Sequence, residues 1–152
     1  MEPPPSELAI ARLIGFALAG SVAILVVLAE VLQATGVVTA SSVSGDAASF
    51  LQPIFIVVSV VQILAIRPLQ RVIRSRPAGA RDTPETRLLA ATIVSLALCE
   101  GVAIYGFVLF VLTGRTNESY VFSILAAAFL AVHFPSEARW QQLLRTDPAM
   151  RV

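Results

Sequence analysis

The chain has 152 residues, 57% of them hydrophobic and only 14% charged, with a mean hydropathy of +0.81. A soluble domain carries about 45–50% apolar and 25% charged residues, so this composition excludes a disordered chain and an ordinary soluble domain. A net charge of +1 argues against a nucleic-acid partner, and one cysteine cannot build a disulfide scaffold.

Crossing about 30 Å of hydrocarbon takes roughly 20 helical residues. Apolar runs of that order occupy residues 13–32, 50–66, 88–112 and 118–134. They are continuous rather than alternating, which favours helices over a barrel. The expected fold is therefore all-α: a four-helix transmembrane bundle forming one integral membrane domain over residues 1–152. The first run is too long for the core of a signal peptide and follows an acidic leader, so it is expected to stay uncleaved despite the small residues Thr39 and Ala40 behind it.

Arginine supplies all eleven basic residues, and its distribution predicts orientation. Arg12, six arginines of the loop 67–87 and three of the tail 135–152 share one side of a four-span layout, whereas the opposite side holds only Arg115. Both termini are expected to face the cytoplasm, with the chain integral to the cell (inner) membrane and the lipid bilayer its first partner.

Spans one and three open alike, Ala11-Arg12-Leu13-Ile14 against Thr86-Arg87-Leu88-Leu89, and close alike, Thr35-Gly36 against Thr113-Gly114. Two tandem copies of one helical hairpin would leave such matches, and so would chance likeness between apolar helices. Spans two and four each reach a proline, Pro68 and Pro135, with an amphipathic stretch after it. These stretches carry Arg71 and Arg74 in one case and Arg139 and Trp140 in the other, residues suited to the membrane interface. Thr83 or Asp82 before Pro84 marks a start for the third helix, and Ser136 can cap the last one.

One residue carries the functional question. Glu100 stands about twelve residues from either end of the third run, where a carboxylate costs on the order of 3 kcal/mol even on lenient insertion scales. No arginine falls inside any of the four runs, so burial favours the neutral acid, with an ion-binding role shared with Ser59 and Gln62 of span two, the polar groups nearest in depth. At 100° per residue Ala91, Thr92, Ser95, Cys99, Val102 and Gly106 form a stripe of mostly small groups on which another helix can pack closely, with Ala103 between the stripe and Glu100. The bland alternative for Glu100 is a neutral acid that holds two helices together. Glu30 and His133 lie near span ends, where interfacial roles are the simpler expectation. One histidine and one cysteine make no metal or haem set, no cofactor is implied, and no order of residues suggests an enzyme.

The segment Leu98-Cys99-Glu100-Gly101-Val102-Ala103-Ile104-Tyr105-Gly106-Phe107-Val108 resembles the carboxylate-bearing helix of the proteolipid (rotor ring) subunit of rotary F-type and V-type ATPases. In that family a midplane acid precedes an apolar run often reading like Ala103-Ile104-Tyr105-Gly106. The resemblance implies that Glu100 carries a proton or sodium ion within an oligomeric ring. By size and layout the chain is also similar to small four-span bacterial membrane proteins. Two expectations stand side by side: proton translocation or sensing by a homo-oligomer, or a non-transporting accessory or scaffold subunit packed beside other membrane protein subunits.

Overall fold

A computed structural model describes residues 6–38, 45–75 and 83–146. Within them the chain forms five α-helices and no strand: α1 (Glu7–Ala34), α2 (Gly45–Arg74), α3 (Pro84–Thr113), α4 (Thr116–His133) and α5 (Glu137–Thr146). The all-α expectation therefore holds. Thr39, Ala40, Arg76, Arg81, Asp82 and Arg151 lie outside the described residues.

The helix ends obey local chemistry. Ser6 accepts from the Ala9 amide at 3.3 Å and Thr83 from the Thr86 amide at 3.2 Å, each satisfying an otherwise orphaned donor, and Pro84 occupies the first turn of α3, where its missing N–H costs nothing. The paired Thr-Gly dipeptides at the ends of α1 and α3 share two features, although the glycine amide reaches back three residues in the first and four in the second. Thr35 and Thr113 each donate to the carbonyl four residues back at 2.8 Å, and Gly36 and Gly114 take φ of 68° and 70°, the left-handed conformation that glycine adopts without a Cβ clash.

The two prolines behave differently. At Pro135 the chain breaks: α4 ends at His133, and α5 leaves at 55° with Ser136 accepting from the Arg139 amide at 3.4 Å. At Pro68 it does not break. α2 runs through Pro53 and Pro68 to Arg74, so Arg67, Arg71 and Arg74 ride on a helix rather than in the expected loop 67–87. A proline removes one backbone bond and bends a helix, but flanking turns carry it through when nothing rewards a break.

α1, α2 and α3 are each long and apolar enough to cross a membrane, whereas α4 and α5 qualify only together, as a bent pair. α3 is central. It packs on α1, α2 and α4, and 44% of its most apolar stretch is buried, against 17% in α1 and 11% in α2. Contacts give the directions. Gln70, Gln62 and Phe55 of α2 meet Ser95, Leu98 and Tyr105 in turn, so α2 is antiparallel to α3. Glu118, Phe122 and His133 of α4 meet Thr113, Gly106 and Cys99, again antiparallel. Ala11 clusters with Leu88 and Gly15 approaches Leu96, so α1 runs parallel to α3. One end of the molecule thus gathers Arg12, Arg74, Arg87 and Arg139, and the other carries Arg115.

Outward-facing side chains are mainly apolar. Leu13, Phe16, Ile24, Leu64 and Ile124 are each at least 65% exposed, on three different helices. An apolar exterior spread round a whole molecule far exceeds the patch of a few hundred Å² that soluble monomers tolerate, and it is what a hydrocarbon solvent requires.

Candidate functional site

Glu100 lies in the middle of α3, 16 residues after Pro84 and 13 before Thr113. It is half-buried. Its position is set by three packed faces of α3. Leu98, Gly101 and Tyr105 face α2, whereas Cys99 and Gly106 face α4. Leu96, one turn below Glu100 on the same side, approaches Gly15 of α1. The remaining strip, Ala90, Ala97, Ile104 and Val111, repeats every seven residues and is exposed. Glu100 borders that strip on the α1 side. Among the described residues its carboxylate takes part in no ion pair and no hydrogen bond.

The other residues singled out in the sequence distribute around it. Gln62 is directed at the same level of α3, but its Nε2 donates to the Leu98 carbonyl at 2.9 Å and its amide lies against Gly101. It pairs with backbone rather than with the acid. Ser59 is buried, and its Oγ finds no partner among the described residues. Along the small-residue stripe and its border Ser95, Cys99, Ala103 and Gly106 are all buried, whereas Thr92 is part-buried. Gly106 makes the closest approach, because a Cβ there would strike Phe122. Ser95 donates to the Ala91 carbonyl and accepts from Gln70 at 2.7 Å, which ties α2 to α3 by a polar bridge.

His133 is the last residue of α4. It is level with Cys99, its Nδ1 4.0 Å from the Cys99 Sγ, one residue from Glu100 along the chain. What separates it from the acid is azimuth, since successive helical residues point 100° apart. Its Nδ1 also lies 3.0 Å from the Phe129 carbonyl, the natural acceptor for an Nδ1–H.

Two polar clusters mark the ends. At the Arg115 end, Thr113 meets the Glu118 carboxylate at 3.3 Å, Arg115 pairs with Glu118 at 3.9 Å, and Tyr120 donates to Glu30. Glu30 thus ties α1 to α4, a role its near-terminal position in the sequence did not specify. At the opposite end Arg12 Nε donates to the Pro135 carbonyl at 3.3 Å, and Arg139 donates to the Val132 carbonyl at 2.8 Å. Trp140 is buried against Ala11 and Leu88 and docks α5 on the helices, while Arg71 is exposed and Arg74 part-buried. Arg87, which in the sequence is only an orientation signal, is buried. Among the described residues no group of three or more His, Cys, Asp or Glu is assembled to hold a metal.

Comparison with protein-family models, with curated proteins and with solved structures finds no match in any of the three.

Proposed function

We propose that the chain is a four-crossing membrane protein, both termini cytoplasmic, in which Glu100 is a reversible protonation site serving proton translocation or sensing within an oligomer. One observation carries the reading: a half-buried carboxyl group midway along the central helix, with no cation and no hydrogen-bond donor turned to it among the described residues. With Arg74 and Arg139 at one headgroup layer, beside Thr92, and Arg115 and Glu118 at the other, beside Thr113, Glu100 lies eight residues from the first boundary and thirteen from the second. That is about 12 and 20 Å of helix, inside the hydrocarbon on either count. Arg67, carried on α2, is exposed, and its long side chain can snorkel toward the arginine-rich end rather than serve the acid.

The open flank matters to the chemistry. An acid used only as glue between α1 and α3 would be enclosed and satisfied by them. Glu100 instead borders an exposed strip of α3, where a second subunit or a water file can reach it and a proton can arrive and leave. The resemblance of residues 98–108 to the acid helix of rotor-ring subunits supports the same assignment. The open flank equally suits an accessory or scaffold subunit whose partner supplies the missing donor, and this is the second reading.

Flux separates the two. Wild type and Glu100→Gln are reconstituted into liposomes, and proton and sodium movement are monitored with internal dyes. Flux in wild type that falls at least tenfold in the glutamine variant is expected. Equal flux in both, or none in either, transfers the assignment to the scaffold reading. Labelling by a hydrophobic carbodiimide adds a direct probe of the acid: modification of Glu100 in wild type should rise as pH is lowered, because the reagent attacks the protonated form.

A further inference from the structure

The unbroken course of α2 carries one arginine into the depth of the hydrocarbon. Gln70 and Gln62 flank Arg67 and bond to Ser95 and to the Leu98 carbonyl, so Arg67 lies level with that stretch of α3. Glu100 is two to five residues further along α3, about 3–8 Å at 1.5 Å per residue. Arg67 is also seven residues from Arg74, about 10 Å inside the headgroup layer where Arg74 stands. Its side chain is exposed, and among the described residues it takes part in no ion pair and no hydrogen bond. The same holds for the carboxylate of Glu100. The chain thus holds two charges of opposite sign at nearly one depth, each costly in lipid and neither satisfied.

Within one copy the two do not meet. Glu100 opens beside α1, Arg67 stands on α2, and α1 and α2 pack on different faces of α3. Their surroundings match instead. Val60, Leu64 and Arg67 follow at steps of four and three residues, so they share one exposed face of α2. Glu100 has exposed Ala97 three residues before it and exposed Ile104 four after it, and the small Ala97 lets another helix come close. The lean of the side chains adds to the match. Every Cα–Cβ bond tilts toward the N-terminus of its own helix. α2 and α3 are antiparallel, so Arg67 leans away from the arginine-rich end and Glu100 leans toward it, each toward the other's depth. In a lone copy Arg67 is left with snorkelling, which turns its stem back against that lean. Copies inserted in one orientation keep these depths. We infer that copies of this chain assemble head to tail in the membrane, the face of α2 that carries Arg67 seated on the Glu100 flank of α3 in the next copy, with the two charges paired across the contact. The two patches are different surfaces, so the contact is heterologous and repeats from copy to copy. The inference rests on the membrane-spanning, oligomeric part of the proposed function and not on ion movement.

Assembly is read by energy transfer between donor- and acceptor-labelled full-length copies in phosphatidylcholine vesicles, diluted stepwise with lipid. Transfer that saturates above random proximity is expected. Arg67→Gln and Glu100→Gln should each weaken association about tenfold or more, as a pair desolvated in lipid requires. Arg71→Gln removes an exposed arginine one turn nearer the headgroups on the same face of α2, and should shift it less than about twofold. Cross-linking keeps both charges and serves if a glutamine variant fails to fold. In a Cys99→Ala background, Leu64→Cys and Ala97→Cys in one chain, treated with a short bismaleimide, should give a ladder of linked copies, and either cysteine alone should give none. Transfer no greater than random proximity, or undiminished in Arg67→Gln, would overturn the pairing. So would equal weakening by Arg67→Gln and Arg71→Gln, which would assign the effect to headgroup attraction, and so would dimers from Leu64→Cys alone, which would place α2 against α2. Absent flux with assembly intact counts against ion movement and leaves this contact standing, whereas flux without assembly does the reverse.

Discussion

Gly101 and Gly106 are five residues apart on α3 and face different neighbours, and the difference predicts opposite tolerance. A Cβ at Gly101 would meet Gln62 Nε2 at 2.5 Å, the movable end of a side chain. Moving that amide weakens one hydrogen bond, worth about 1 kcal/mol, and alanine returns a similar amount in helix propensity. Gly101→Ala should therefore be close to neutral in stability. At Gly106 the same atom would strike the Phe122 Cβ and crowd the Glu118 carbonyl oxygen at 3.3 Å, so α4 itself must move. Gly106→Ala should destabilise by about 1–3 kcal/mol. Denaturant-induced unfolding in mixed micelles distinguishes the two, and equal losses would show that α4 has room to withdraw from Gly106 at no cost. The need for a small residue at Gly106 was legible from the stripe; the particular helix that fills the space, α4, was not. The sequence also pointed to Gln62 as a neighbour of the acid, yet its amide bonds a backbone carbonyl, a choice set by angles that spacing along a chain does not contain.

Among the elements, the two prolines carry the clearest contrast. Both precede amphipathic stretches, and sequence alone treats them as equivalent. Pro68 sits inside α2, whereas Pro135 lies between α4 and α5 at the 55° bend. Each proline weakens the helix locally, and only at Pro135 do the contacts of α5 reward a break. Trp140 finds Ala11 and Leu88 only if the chain turns, and Arg12 secures the turn through the Pro135 carbonyl. Pro135→Ala keeps that carbonyl but restores an N–H and a residue free to continue the helix. It should let α4 extend and draw Trp140 out of its contact, seen as a shift in emission maximum and greater quenching by an aqueous quencher. An unchanged spectrum would mean that packing by Trp140, not the proline, sets the bend.

For the whole molecule, the number of crossings is the prediction that organises the rest. Single cysteines at Ser75, Asn117 and Ser136 in a Cys99→Ala background, labelled by a membrane-impermeant maleimide in intact cells and in inverted vesicles, read it directly. Four crossings place positions 75 and 136 on the cytoplasmic side and 117 on the other. If α4 fails to cross, 136 labels from the same side as 117. The arginine asymmetry, the antiparallel course of α4 on α3 and the polar clusters at both ends all favour the first outcome.

Composition and apolar run length by themselves determined that this chain is helical and suited to hydrocarbon, because a backbone in lipid must satisfy its own hydrogen bonds and about 20 residues are needed to cross. Caps at Thr83 and Ser136 were legible for the same kind of reason, since each depends on neighbours within one helical turn. Tertiary structure alone decided that α3 is the central helix, that Glu100 borders its open strip and that His133 reaches the level of Cys99. Those facts concern azimuth and register between helices. A stripe of small side chains marks where some helix can approach, but not which helix comes or at what register, because that depends on the partner's side chains too.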